Sequence, residues 1–373
     1  MKPPLRLDPN APRAAQGDAI EVLDYHTGGE PFRIVISGYP ELAGTSILER
    51  RRSALQEHDH LRKLLMWEPR GHADMYGGIL VPPDHAEAQV GVLFMHNEGY
   101  STMCGHGTIA LATALIESGA IAAVGTETPI GIDAPCGLVR ATALVHADEL
   151  AAARAAGRTP RVHEVRFENV PSFAAALDVQ LEVPGYGRLT IDVGYGGAFY
   201  ALIDAAALGL EMTAENAAAL TAAGRAIADA GRAALRRGGP LAAALGVAHP
   251  LEDDLSFLYG AIIAGSPEDP AHHSRNLCVF AEGEVDRSPT GSGVSARLAV
   301  LHARSLVAQG EEVAIESILG RNSLFIGRVA RVEEWAGRTA VIPEVRGSAH
   351  MTGSARFVLD ANDPIGRGFL VAR

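Results

Sequence analysis

Lysine is nearly absent from this 373-residue chain: Lys2 and Lys63 stand alone, and the 32 basic residues are otherwise arginine. Against 44 acidic residues the formal net charge is −12. The arginines are scattered, so no cationic stripe exists to neutralise a phosphate backbone, and no nucleic-acid partner is expected. The bias toward arginine and alanine reads as genome composition and carries no chemistry. Long apolar runs are also missing. None reaches the ~20 residues of a membrane span, and the polar start MKPPLRLDPNAPRAAQGDA lacks the apolar core of a secretory signal. A cytoplasmic protein with no membrane partner is expected. Cysteine is scarce: Cys104, Cys136 and Cys278 are too few and too far apart for a disulfide framework, and no C-x-x-C pair serves zinc or redox work. Each thiol is either buried or reactive.

The remainder is globular in character, 47% hydrophobic and 20% charged, and long enough for about two domains at ~150 residues each. Residues 1–18 read as a loose arm. Strand signals fall at 19–25, 31–37, 78–81, 88–95, 137–144, 163–169, 178–183 and 188–193. Residues 59–66 have a helical period that stops before Pro69. Two helices launch from glycine-rich turns, at 105–118 and 291–307. The longest helical block is 213–237, with Thr213 as N-cap and Gly238, Gly239 and Pro240 as its stop. Residues 148–161 read as a surface connection or short helix.

An internal echo runs through this pattern. Tyr25-His26-Thr27-Gly28-Gly29 resembles Gly194-Tyr195-Gly196-Gly197, and Cys104-Gly105-His106-Gly107 lines up with Thr290-Gly291-Ser292-Gly293, each opening an apolar helix. The duplication suggests two similar lobes, each of strands wrapped about one helix, with both helix N-termini facing a shared cleft.

Cys104 stands at one of those N-termini. Unpaired amides and a partial positive charge there lower a thiol pKa and free the thiolate as base or nucleophile. The alternative is a small buried cysteine at a helix start. Thr290 occupies the equivalent place, in a glycine-rich string that lacks the lysine of a nucleotide-binding loop but suits a small anion such as a carboxylate. Asp286 is placed to meet an ammonium group or to cap the helix. His106 either donates to a ligand or bonds its neighbours. His58, His60, His272 and His273 read as solvated, Cys136 and Cys278 as core thiols, and no metal site is inferred.

These residues add up to a family pattern. D-Y-H-T-G-G-E-P at 24–31, P-R-G-H-A-D-M-Y-G at 69–77, M-C-G-H-G at 103–107, N-V-P-S-F at 169–173, V-P-G-Y-G at 183–187, Y-G-G-x-F-Y at 195–200, D-R-S-P-x-G-S-G at 286–293 and D-P-x-x-x-G-F at 363–369 resemble the proline racemase family. The resemblance implies an α+β fold of two pseudo-symmetric lobes, as in diaminopimelate epimerase and proline racemase, each a strand-rich barrel around a central helix. The lobes are expected at 1–185 and 186–354, with about 355–373 returning to the first. Racemases and epimerases of the family carry a cysteine in both glycine-rich turns; here the second is Thr290. That pattern resembles the trans-3-hydroxy-L-proline dehydratase branch.

A racemase needs an acid–base group on each face of the α-carbon, and a threonine hydroxyl cannot serve as one. With Cys104 as the single base, the carbanion needs another exit, which loss of a 3-hydroxyl as water provides. The product is an enamine that tautomerises to Δ1-pyrroline-2-carboxylate. By resemblance, Gly105, His106, Gly291 and Ser292 bind the substrate carboxylate, and Asp286 and His106 face the ring nitrogen; from its position alone, Thr290 is expected to hydrogen-bond or help protonate the leaving hydroxyl. The histidine that hydroxyproline epimerases carry ahead of D-R-S-P is missing from 254–264, where Ser256 and Tyr259 are the polar candidates. A hydro-lyase with no metal, nucleotide or pyridoxal cofactor is expected, its partner a small hydroxyproline substrate, its assembly open with a homodimer as one form. The rival readings are a proline racemase or 4-hydroxyproline 2-epimerase, and a non-catalytic imino-acid binder.

Overall fold

The computed structural model describes residues 19–360 and 362–371, so the expected arm at 1–18 lies outside the described residues. An apolar-alternating hairpin begins the chain: β1 (Ala19–Thr27) and β2 (Glu30–Ser37) turn on Gly28 and Gly29, both in the left-handed region that glycine adopts without strain. Helices α1 (Ile47–Glu57) and α2 (Asp59–Met66) follow. Next come β3 (Tyr76–Val81), β4 (Val90–His96), the short β5 (Tyr100–Ser101) and α3 (Gly105–Glu117). Strands β6 (Glu127–Ala134) and β7 (Gly137–Leu144), surface helix α4 (Ala147–Ala156) and β8 (Glu164–Glu168) complete this half.

The second half repeats the sequence of elements. Strands β9 (Phe173–Val183), β10 (Gly187–Tyr195) and β11 (Phe199–Asp204) lead to α5 (Ala217–Arg237) and α6 (Pro240–Leu245). Strands β12 (Leu258–Gly265), β13 (Ser274–Phe280) and β14 (Glu284–Asp286) precede α7 (Gly291–Ala303). Strands β15 (Glu312–Ser317), β16 (Gly320–Trp335), β17 (Arg338–Gly347) and β18 (Ala349–Val358) close the chain.

The pairing makes the duplication complete. One run of strands is β18-β1-β2-β3-β4-β6-β7-β8 and the other β9-β10-β11-β12-β13-β15-β16-β17. Both read antiparallel, antiparallel, parallel, antiparallel, parallel, antiparallel, antiparallel, and a β8–β17 pairing joins them. The first strand of one run comes from the far end of the chain, β18. The first run ends with β8 at Glu168 and the second begins with β9 at Phe173. The junction expected at 185/186 is thus corrected: it falls in the β9–β10 turn, inside the second run, because β9 pairs with β10. The return expected near 355 starts earlier, with β18 at Ala349.

Helices α3 and α7 are mostly buried, as befits helices enclosed by sheet, although α7 also carries Arg297, which bonds Ser274 and Asn276. Every residue from Gly105 to Ile116 is buried. Both helices contribute to one hydrophobic cluster that spans the two halves, and two further clusters fill the outer parts of each. The long helix α5 lies outside, and its Gly224 and Gly231 allow close approach to Val279 and Leu258. Thr213 is not its cap. A 3-10 turn, Ala214–Asn216, intervenes, and neither Thr213 nor Asn216 makes a side-chain cap bond. Helix α7 ends at Ala303, short of the expected 307, because the chain turns there through Ser305 at positive φ. No helix among the described residues is long and apolar enough to cross a membrane.

Candidate active site

Cys104 is the N-cap of α3 and Thr290 the N-cap of α7, and the two helix starts abut. A Cβ on Gly105 would come within 2.4 Å of the Gly291 Cα, and one on Gly291 within 2.7 Å of the Gly105 Cα. Only glycine at both positions lets the N-termini meet backbone to backbone. Cys104, Gly105, His106, Asp286, Thr290 and Ser292 line one cavity of about 10 Å³. Gly291, the seventh expected position, does not line it and instead packs against Gly105.

The Gly107 amide donates to Cys104 Sγ at 3.2 Å, and His106 Nδ1 lies 3.4 Å from the same sulfur. His106 Nδ1 is also 3.6 Å from Asp286 Oδ2, which links the halves across the cavity. Asp286 Oδ1 accepts from the Ser288 amide at 2.7 Å. Burial acts most strongly on the Asp286 carboxyl and pushes its pKa up, yet the His106 charge and the hydrogen bonds of His106 and Ser288 together hold it below the ordinary value.

The expected lowering of the Cys104 pKa is overturned. Burial pushes this thiol well above its ordinary value, the Asp286 charge pushes the same way, and the Gly107 hydrogen bond and the Tyr76 hydroxyl pull back less. Helix-end stabilisation is present, but desolvation outweighs it in a closed site. Glu30, fully buried on β2, is raised well above its ordinary value by burial and then by Asp286, while Arg287, 3.0 Å away, opposes both. Arg287 also reaches Asp74, which ties the two halves together.

Thr290 departs from ordinary capping. Its φ is 66°, rare for a β-branched residue, and its buried Oγ1 has no hydrogen-bonded nitrogen or oxygen partner. Beside it lies Cys278, which reading along the sequence placed in the core. Cys278 is indeed fully buried, yet it lines the cavity, and the Thr290 hydroxyl favours its thiolate against the larger effects of burial and Asp286. Cys136 is only half-buried, between two of the hydrophobic clusters.

Three tyrosines missed as a group complete the lining. The Tyr200 hydroxyl is 2.7 Å from Ser292 Oγ, and those of Tyr76 and Tyr259 are 3.2 Å apart across the halves. Tyr259 is the candidate noted from the sequence, whereas Ser256 is spent on the His249 amide at 2.9 Å. A signal existed: M-Y-G-G-I-L at 75–80 and L-Y-G-A-I-I at 258–263 begin the equivalent strands β3 and β12.

The proline racemase family model matches residues 22–370. The chain belongs to the proline racemase family. Among curated members, the trans-3-hydroxy-L-proline dehydratase of Colwellia psychrerythraea is 44% identical over 94% of this chain and 92% of its own. The 3-hydroxyproline 2-epimerase of Burkholderia multivorans is 45% identical over 95% of this chain and 98% of its own. A solved member, a hydroxyproline epimerase from Agrobacterium vitis with bound trans-4-OH-L-proline, superposes with a TM-score of 0.82 at 31% identity, covering 95% of this chain and 96% of that one. The expected fold, two pseudo-symmetric lobes about an interlobe cavity, is thus the fold of the family.

Proposed function

We propose that this proline racemase family member is a hydro-lyase that converts trans-3-hydroxy-L-proline to Δ1-pyrroline-2-carboxylate and water. The observation that carries the reading is the pair of N-caps facing one cavity, a thiol on α3 and a threonine hydroxyl on α7. The names of the Colwellia relative and of a human relative, 42% identical over 98% of this chain, support it.

In this reading the amides at the starts of α3 and α7, with Ser292, bind the substrate carboxylate, and Asp286 with His106 meets the ring ammonium. That ammonium neutralises Asp286, the charge that disfavours the Cys104 thiolate, so binding itself lowers the thiol pKa. Cys104 removes the α-proton and the helix-end amides stabilise the charge that develops on the carboxylate. Thr290 contacts substrate but holds no proton of useful acidity. Reprotonation on its face fails, and the carbanion expels the 3-hydroxyl. No metal or organic cofactor enters this scheme. The two strand runs act as lobes: a cavity with room for about one water must open to admit substrate and close over it.

One observation favours a second reading. Cys278 places another thiol beside Thr290, where an epimerase needs its second acid, and a Burkholderia relative is named as an epimerase. One assay separates the two. Purified protein mixed with trans-3-hydroxy-L-proline and no added cofactor is followed with o-aminobenzaldehyde for the cyclic imine, and a parallel sample with trans-4-hydroxy-L-proline is followed by optical rotation. Imine with constant rotation is the expected result; changing rotation without imine installs the epimerase.

A further inference from the structure

The dehydration needs a proton for the departing hydroxide, and the substrate dictates where it must come from. In trans-3-hydroxy-L-proline the hydroxyl is trans to the carboxylate, so it shares a ring face with the α-hydrogen. The base and the acid must therefore stand side by side. Thr290 caps the helix of the opposite lobe from Cys104 and fits this requirement poorly. Tyr76 fits it. It lies on β3 in the lobe of Cys104, lines the same cavity, and its hydroxyl is close enough to favour the Cys104 thiolate.

Its surroundings fix that hydroxyl in place. It donates to Ser101 Oγ and lies 3.2 Å from the Tyr259 hydroxyl. The ring stacks on His96 at 5.5 Å and meets the His106 ring edge-on at 4.9 Å. Burial first, and the neighbouring Cys104 second, push the phenol well above its ordinary value, so it stays protonated until a stronger base appears. A departing hydroxide, the conjugate base of water, is such a base.

We infer that Tyr76 is the acid that protonates the leaving 3-hydroxyl, on the ring face from which Cys104 takes the α-proton; this rests on the dehydratase reading above. The Cys104 thiolate takes the proton as the Cα–H bond breaks, and that electron pair becomes the C2–C3 double bond. The C3–O bond breaks with its pair on oxygen, and that oxygen takes the Tyr76 proton and leaves as water. The new Cys104 thiol then returns its proton to the adjacent Tyr76 phenolate, so both residues are restored. The enamine tautomerises to the imine.

The test separates proton removal from elimination in D2O. For Tyr76→Phe, imine formation should fall about 10²–10⁴-fold, the span of a lost general acid. Recovered trans-3-hydroxy-L-proline should meanwhile gain deuterium at the α-carbon, because Cys104 still works. Undiminished imine formation overturns the inference, and so does equal loss of exchange and elimination in a variant with a native circular dichroism spectrum. A second measurement needs no variant. The wild-type protein given cis-3-hydroxy-L-proline, whose hydroxyl lies on the other face, should exchange its α-hydrogen without yielding imine; imine at the rate of the trans isomer overturns the assignment. Absence of imine from wild type with the trans isomer sinks the dehydratase reading itself.

Discussion

Gly105→Ala is the substitution on which the geometry bears most directly. Its Cβ would sit 2.4 Å from the Gly291 Cα, and 3.0 Å from both the Gly291 carbonyl carbon and the Gly291 nitrogen. Ordinary contact starts at 3.4 Å, so the two helix starts must part by about 1 Å. No side chain can rotate away, because every obstructing atom is backbone. Overpacking of this kind costs about 1–3 kcal/mol of stability. In the proposed reaction the same displacement shifts Cys104 against a substrate held by the amides of both helix ends, and an error of about 1 Å between base and substrate lowers rates about 10²-fold, or about 2.7 kcal/mol of transition-state stabilisation. Urea unfolding and kcat/KM for imine formation measure both effects, with Gly99→Ala as control, since a Cβ there meets nothing within 4 Å. Should Gly105→Ala match the control in both midpoint and kcat/KM, the abutting of the helix starts is wrong.

Cys104→Ser should keep its circular dichroism spectrum and lose about 10²–10⁴-fold in turnover, since a hydroxyl is a far poorer proton acceptor than a thiolate; near-normal imine formation contradicts Cys104 as the base. Thr290→Cys restores a thiol at both N-caps and should bring inversion of trans-4-hydroxy-L-proline, read by polarimetry. Constant rotation in that variant means that a second thiol at this N-cap does not suffice for inversion. The raised Cys104 pKa fixes the sign of the pH dependence: the thiolate is scarce at neutral pH and grows as pH rises toward that pKa. Log kcat/KM, which reports the free enzyme, should climb between about pH 7 and 9. A flat profile over that range contradicts the raised thiol pKa.

Much of this protein is written locally. The glycine pairs at 28–29 and 196–197, the two C/T-G-x-G helix starts and their order disclosed the duplication, because turn chemistry and helix initiation depend on neighbours along the chain. The residues of those turns carried the family and six of the seven expected cavity positions. Boundaries such as Thr213 failed where a 3-10 turn offered the backbone a competing start.

Other features exist only once distant segments meet. That β18 rather than a preceding strand completes the first run is a matter of long-range pairing. Cys278 reads as a core thiol and Tyr76 as one letter of a motif, and both become cavity residues because β13 and β3 approach the same helix ends from opposite lobes. The Cys104 pKa shows the division most clearly. Sequence supplied the helix N-terminus, a local field that favours the thiolate, and the structure shows which amide delivers it, that of Gly107. Desolvation by both lobes, and an Asp286 carboxylate brought from 182 residues away (286 − 104), decided the sign instead. Burial is a property of the assembled fold, and no local pattern encodes it.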